Sequence, residues 1–192
     1  MKIILATHND HKVRELVAIA GDIISVGKLP DNFPEIPETG TTLSENASIK
    51  SQTVFKSLGV AALADDTGLE VAALGGEPGV YSARYAGAGA TFKSNCDKLL
   101  AAMAGITERD ARFVTILCFT DIHGSDHFFE GEVEGIITAS PRGSGGFGYD
   151  PIFEPLEGKG KTFAEMTSEE KNLISHRSRA MKKFLGFISA ID

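Results

Sequence analysis

Two adjacent carboxylates, Asp65 and Asp66, follow directly on an apolar run that includes Val60, Ala61, Ala62 and Leu63. The run is short enough for a buried strand, and the Thr67-Gly68 pair after the acids reads as a turn, so both are expected at a strand end. Neighbouring side chains on extended backbone point to opposite faces, so one acid can face a pocket while the other braces the turn or a neighbouring segment. Asp66 is taken as the working member. By itself Asp-Thr-Gly is ordinary turn chemistry, and a solvated turn would explain it. Further upstream, Glu38 ends a loop containing Pro30, Pro34 and Pro37, and Thr42 with Glu45 spells a capping box that opens a helix. That helix carries Asn46 and Lys50 one turn apart on one face. Capping accounts for Glu45, whereas Glu38 and Lys50 remain as a carboxylate and a cation without a local task.

Three more stretches could meet an anionic ligand. Thr7-His8-Asn9-Asp10-His11-Lys12 joins a predicted strand, Lys2 to Ala6, to a predicted helix whose buried face is Val13, Leu16, Val17 and Ala20. A helix N-terminus offers free N–H groups, here with a lysine beside them, and so favours anions. A plain N-cap by Asn9 or Asp10 explains the same residues, and Asp10 would have to turn away from a phosphate. Gly143, Gly145 and Gly148 formally spell G-x-G-x-x-G. The dinucleotide fingerprint is rejected because Asp150-Pro151 calls for extended backbone where that motif needs a helix. What remains is a glycine loop with Phe147 as a stacking face and Tyr149 and Asp150 as polar contacts. Ser175 is a natural N-cap for the last helix, which puts His176 and Arg177 in its first turn; an arginine there opposes the helix dipole and asks for an anionic or acceptor partner.

The elements that must position these residues alternate between strand and helix. A second strand is predicted at Ile23 to Val26. A helix with a buried stripe of Phe92, Cys96, Leu99, Leu100 and Met103 follows the segment that contains Gly79 and Arg84. A long hairpin runs from Arg112 through a turn at Gly124 to Val133, and the terminal helix buries Ala180, Met181, Phe184, Leu185 and Ile188. His123 and His127 flank the hairpin turn and are expected to be exposed, with no metal site around them.

With 192 residues, 42% of them hydrophobic and 23% charged, the chain is sized for one folded domain over residues 1–192 with a substantial core. The opening residues lack a signal peptide's apolar stretch, and no span is long enough for a bilayer, which places the protein in the cytoplasm. Cys96 and Cys118 sit in apolar patterns and read as buried thiols. A net charge of −7 argues against a general nucleic-acid binder. It leaves room for a small phosphate ligand whose charge a divalent cation helps to offset.

Six blocks in order resemble one family, the inosine/xanthosine triphosphate pyrophosphatases. They are T-x-N-x-x-K at Thr7 to Lys12, E-T-G-x-T-x-x-E-N-A-x-x-K at Glu38 to Lys50, D-D-T-G-L at Asp65 to Leu69, L-G-G-x-P-G-V-Y-S-A-R-Y at Leu74 to Tyr85, G-G-F-G-Y-D-P at Gly145 to Pro151, and E-E-K-N-x-x-S-H-R at Glu169 to Arg177. The resemblance implies an α/β fold with an elongated mixed β-sheet and flanking helices, two lobes around a central nucleotide-binding cleft, and a homodimer. It further implies Mg2+-dependent hydrolysis of ITP, dITP and XTP to the monophosphate and pyrophosphate, which cleanses the nucleotide pool. By the same resemblance Glu38 and Asp66 hold magnesium and Asp66 is the catalytic base. Substrate contacts fall to Thr7, His8, Asn9, Asp10, His11 and Lys12 around the phosphates, and to Lys50, Thr67, Phe147, Gly148, Tyr149, Asp150, Lys171, His176 and Arg177. The family usually has Gly at the position of His8 and often Ser at that of Thr67. Rival readings are a nucleotide-sensing module without turnover, a scaffold domain, and an NTPase releasing the γ-phosphate.

Overall fold

A computed structural model describes residues 2–191. In chain order they form β1 (Lys2–Leu5), α1 (Asp10–Ala20), β2 (Ser25–Gly27), α2 (Leu43–Leu58), β3 (Ala62–Val71), β4 (Pro78–Gly79), α3 (Phe92–Ala102), β5 (Asp110–Thr120), β6 (Asp126–Ile137), β7 (Phe153–Pro155), α4 (Ser168–Ile174) and α5 (His176–Ile191). The strands make a mixed α/β sheet in the order β2-β1-β3-β5-β6-β7, with β4 paired to β3. The chain divides into two compact units. The first holds Met1–Asp66, Thr115–Gly131 and Arg177–Asp192; the second holds Thr67–Val114 and Glu132–His176.

The first unit begins with two parallel crossovers. β1 pairs with β2 through α1, and then with β3 on its other side through α2. This reversal of direction at β1 makes the carboxyl end of β1 a topological switch point, the kind of place where ligands of open α/β sheets bind. Both central strands are buried on both faces, as parallel strands covered by helices must be. Ile3, Leu5, Ala61 and Leu63 pack with Val13 and Leu16 of α1 and with Ala180, Met181 and Phe184 of α5. Their alternate neighbours Ile4, Ala6, Ala62 and Ala64 pack with Val54 of α2 and with Leu29. The capping box of Thr42 and Glu45 opens α2 as expected. A tight turn at Asp121–Ser125 closes the predicted hairpin between β5 and β6, with Gly124 N–H donating to Asp121 O.

The second unit has its own core of Leu69, Val71, Leu99, Met103, Val133, Ile137, Ile152 and an aromatic group of Phe113, Phe153 and Phe163. Phe113 meets Phe153 edge-on with centroids 4.7 Å apart, a preferred aromatic arrangement. The fully buried Asn95 accepts from Ala86 N–H at 2.8 Å and donates to the Ala83 carbonyl at 3.1 Å, which fixes the Tyr81–Tyr85 segment on α3. Arg84, half-buried, lies over the Tyr81 ring.

Several expectations need correction. Asp-Thr-Gly is not a turn: β3 runs unbroken through it to Val71. Gly68 does not adopt a left-handed backbone; a Cβ there would stand 2.8 Å from the Gly79 carbonyl oxygen, so the residue is glycine because β4 approaches closely. The second strand sits slightly later than Ile23 to Val26, at Ser25–Gly27. Val17 and Phe92 match their helical stripes by spacing but are exposed, each lying at the margin of its buried face. Asp150-Pro151 enters a single 3-10 turn rather than extended chain, and no helix follows the glycine loop. Both cysteines are free and buried; burial pushes Cys96 up to about 11 and Cys118 up to about 12, so neither is a nucleophile at neutral pH.

Gly68→Ala is expected to force β3 and β4 apart at a contact with no flexible side chain to yield. It should cost about 1–3 kcal/mol, measured as a drop in urea unfolding free energy, whereas the same change at the open Gly75 carries only its backbone conformational cost.

Candidate functional site

Strand alternation decides the fate of the two acids. Register between β1 and β3 ends at Leu5↔Leu63, with Ala6 N–H still bonded to Leu63 O, so Asp65 and Asp66 lie just past that pairing. Asp65 follows the side of Ala61 and Leu63, toward α1 and α5, and Asp66 follows the side of Ala62 and Ala64, toward α2. Each meets cations there. Asp65 is fully buried and pairs with Lys12 of α1 through Oδ1, and with Arg177 of α5 through Oδ2 at 2.8 Å. Arg177, equally buried, also pairs with Glu15 of α1. Burial alone would push the Asp65 carboxyl up, but Arg177 and then Lys12 hold it well below the usual carboxylate range.

On the other side, the Lys50 ammonium donates to Asp66 Oδ1 at 2.7 Å, to Glu38 Oε1 at 2.9 Å and to the Asp65 carbonyl at 2.7 Å. Two carboxylates 28 residues apart in sequence, one on a loop and one on a strand, thus converge on one buried cation. Burial raises the Asp66 carboxyl above its ordinary value against the pull of Lys50 and Lys12. Burial also disfavours the Lys50 ammonium, but Asp66 and then Glu38 more than offset it and keep the lysine charged. Asn46, fully buried on α2, accepts from Gly40 N–H at 2.8 Å and so ties down the loop that carries Glu38.

The loop after β1 is closed by its own side chains. Asn9 caps α1, accepting from the N–H groups of His11 and Lys12, and Thr7 Oγ1 accepts from Asn9 N–H. His8 is bonded to the Phe33 carbonyl at 2.9 Å, which links this loop to the proline-rich one. Asp10 does turn outward, exposed and 3.7 Å from Lys28, and His11 contacts Arg14.

In the second unit, Asp150 Oδ2 accepts from Phe147 N–H at 2.8 Å and from the Lys171 ammonium at 2.7 Å. Lys171 also lies 5.0 Å from the centroid of the half-buried Phe147 ring, and Phe92 lies 5.9 Å from that ring. Left-handed backbone at Gly146 and Gly148 shapes the loop, and a Cβ on Gly146 would collide with the Asp150 carboxylate. His176 is buried and stacked on Phe113, with centroids 4.6 Å apart and planes 17° from parallel. Thr67, half-buried, stands on β3.

Three residues expected to touch a ligand have buried side chains with partners inside the protein. Tyr149 is a core residue whose hydroxyl donates to the Ser82 carbonyl at 2.8 Å. Asp150 is the brace of the glycine loop, and Arg177 is the counter-charge of Asp65. In each case a polar group that is buried must find its partner close by. Ser175 is buried between α4 and α5 and terminates α4, so Lys171 belongs to a separate short helix. Sequence reasoning passed over Glu15, placed Asn46 on the helix face of Lys50 without giving it a task, and did not pair Asp65 with Lys12 and Arg177. The spacing of Lys12 and Glu15 on one helix face was the only signal for the first; an asparagine at a helical position facing the core was the signal for the second.

The Ham1 family model matches residues 3–187. The chain is 46% identical over 190 residues to a dITP/XTP pyrophosphatase of Porphyromonas gingivalis, covering 97% of each chain. To that of Thermus thermophilus it is 48% identical over 191 residues, covering 96% of this chain and 90% of the relative. Among solved structures, the Ham1 protein of Staphylococcus aureus superposes with a TM-score of 0.89 at 38% identity over the whole of both chains. The nucleoside-triphosphatase / dITP/XTP pyrophosphatase from Mycobacterium abscessus superposes at 0.77, with 40% identity over 96% of this chain and 99% of that one.

Removing the Asp65 charge leaves Arg177 and Lys12 facing a neutral amide, so Asp65→Asn should cost about 3–5 kcal/mol at neutral pH. Because the folded carboxyl is held low, its contribution is present above the unfolded value near 3.9 and is lost as pH falls below it. Denaturant titrations between about pH 6 and pH 2 should show the wild type losing more stability than Asp65→Asn; parallel curves would refute the assignment.

Proposed function

The chain belongs to the Ham1 family, and on that premise we propose that it hydrolyses purine nucleoside triphosphates with a 6-oxo base, ITP, dITP and XTP, to the monophosphate and pyrophosphate. Such an activity clears these triphosphates from the nucleotide pool. The observation that carries the reading is the convergence of Glu38 and Asp66 on Lys50, at 2.9 and 2.7 Å, beside the loop from Thr7 to Lys12. The names of the two curated relatives support the substrate class.

The donor set fits magnesium. That ion keeps several waters and is commonly held by one or two carboxylates together with substrate phosphates; among the described residues no group of three or more candidate ligands gathers, here or elsewhere, so two carboxylates would leave the other positions to water and phosphate. Glu38 and Asp66 would hold it, and when bound it neutralises phosphate charge and lowers the pKa of water. The remaining work falls to side chains. Lys12 and Lys50 meet the polyphosphate, with Thr7, His8, Asn9 and His11 lining the loop around it, and Asp66 orients and deprotonates the attacking water. Asp10, turned outward, stays clear of the phosphates. In the second unit Phe147 stacks on the base, Lys171 and Asp150 hold the Phe147 loop, and Thr67 and the backbone at Gly148 and Tyr149 contact the nucleotide. His176 donates toward the 6-oxo group; an adenine amino group would put donor against donor, a mismatch that discriminates strongly. Arg177 acts through Asp65. Residues 1–192 work as one catalytic domain in this reading, in the cytoplasm, and as a homodimer, the last of which rests on the family resemblance. No described helix is long and apolar enough to cross a membrane.

The decisive assay incubates purified protein with Mg2+ and either ITP or ATP and measures pyrophosphate and orthophosphate separately. Pyrophosphate from ITP, with ATP slower by about 100-fold or more, is the expected result; orthophosphate would point to γ-phosphate release, and binding without turnover to a sensing module. Asp66→Asn should lower kcat by about 10^2–10^4-fold while the protein stays folded, and a near-normal rate would remove Asp66 from the role of base.

Phe147→Ala should raise KM for ITP by about tenfold, the equivalent of one lost base-stacking contact. Steady-state kinetics with an unchanged KM would show that this ring does not meet the base.

A further inference from the structure

The three hydrogens of the Lys50 ammonium are all in use. Their acceptors are Asp66 Oδ1 at 2.7 Å, Glu38 Oε1 at 2.9 Å and the Asp65 carbonyl at 2.7 Å, and a lysine has no fourth donor to give. The side chains of Lys50 and Asp66 are almost fully buried and that of Glu38 is mostly so. The geometry points to Lys50 as a resident counter-cation: it closes the Glu38/Asp66 pair to free divalent metal, so that the metal enters only together with the polyphosphate of the nucleotide. This rests on the reading of Glu38 and Asp66 as magnesium carboxylates.

Two facts argue for it beyond the hydrogen bonds. With Lys50 in place the pair and its cation carry a surplus of one negative charge, and Lys12, the next cation, is already matched by Asp65. A free divalent ion would therefore shed part of a strongly held water shell for a small net attraction, and would have to draw Lys50 off both carboxylates, leaving the ammonium only the Asp65 carbonyl of its three acceptors. A polyphosphate changes both sides of this balance. Its oxygens accept the hydrogens that Lys50 withdraws from the carboxylates, and its phosphates supply the rest of the metal's ligands. The lysine moves from carboxylate to phosphate while the metal takes its place, an exchange of one cation for another rather than the filling of a preformed cage.

Calorimetric titration of the whole protein tests this with three probes: Mg2+ alone, the α,β-methylene analogue of ITP alone, and the two together. Mg2+ alone should give no saturable binding over the range in which it tightens analogue binding by tenfold or more, taking one like charge within about 4 Å as the barrier. Lys50→Met should bind Mg2+ alone at least about tenfold more tightly than the wild type, and Lys50→Arg, which keeps the charge, should not. If the wild type binds Mg2+ equally well without the analogue, or if a folded Lys50→Met gains no metal affinity, the resident-cation role is overturned and the metal reading survives. If Mg2+ adds nothing to analogue binding, the metal reading itself fails. Circular dichroism reports whether Lys50→Met folds; should it not, the wild-type titrations still decide.

Discussion

The two-residue period of one strand governs this protein. The chain enters the first unit's core with Ala61 and runs on as β3 through Ala64, every residue buried, and the next two positions are acids. Because side chains alternate, one apolar face continues into Asp65 and the other into Asp66. Had the strand slipped by a single residue, the acid that now pairs with Lys12 and Arg177 would face α2, and the one beside Lys50 would face α1 and α5. The hydrophobic pattern that fixes the register therefore also assigns the roles. Asp65 joins α1 and α5 to the strand from the inside, and Asp66 stands among the groups that can work.

Most of the local elements were legible because their signals are local. The capping box at Thr42 and Glu45, the stripe of α5 and the hairpin around Gly124 each depend on residues a few positions apart. The Asp-Thr-Gly segment misled for the opposite reason. Its turn propensity is real, but pairing to β4 and the close approach of Gly79 hold it extended, and tertiary pairing outweighs a preference worth a fraction of a kcal/mol to about one. Phe92 misled through periodicity, since a stripe one residue too wide looks the same in sequence as a stripe that is wholly buried.

The candidate site was legible as a set of residues and much less so as a set of partners. Six blocks in order made Glu38, Lys50, Asp66, Phe147, Lys171 and His176 candidates, whereas nothing in the spacing of Tyr149 or Arg177 says whether a polar tip faces a ligand or the interior. Tyr149 spends its hydroxyl on Ser82, and Arg177 spends its charge on Asp65 and Glu15. Such pairings join residues 67 to 162 positions apart, and long-range pairs are invisible to any window along a single chain.

The same pairings reach the cations that the proposed reaction needs. Lys12 is held by Asp65, and Lys50 by Asp66 and Glu38. In a chain of net charge −7 this is what buried lysines require, because an unpaired ammonium inside the protein costs several kcal/mol. It also means that a triphosphate cannot bind by adding contacts to idle cations. It must take hydrogens away from carboxylates, so the net gain per contact is the difference between two charge-assisted bonds rather than the whole of one. A ligand that offers only one phosphate would disturb these pairs without compensating the acids it strands. In the proposed reaction a longer polyphosphate, accompanied by a cation for the stranded carboxylates, would replace the Lys12 and Lys50 pairs together, and the charge pairing of the resting protein would then favour a triphosphate over a monophosphate.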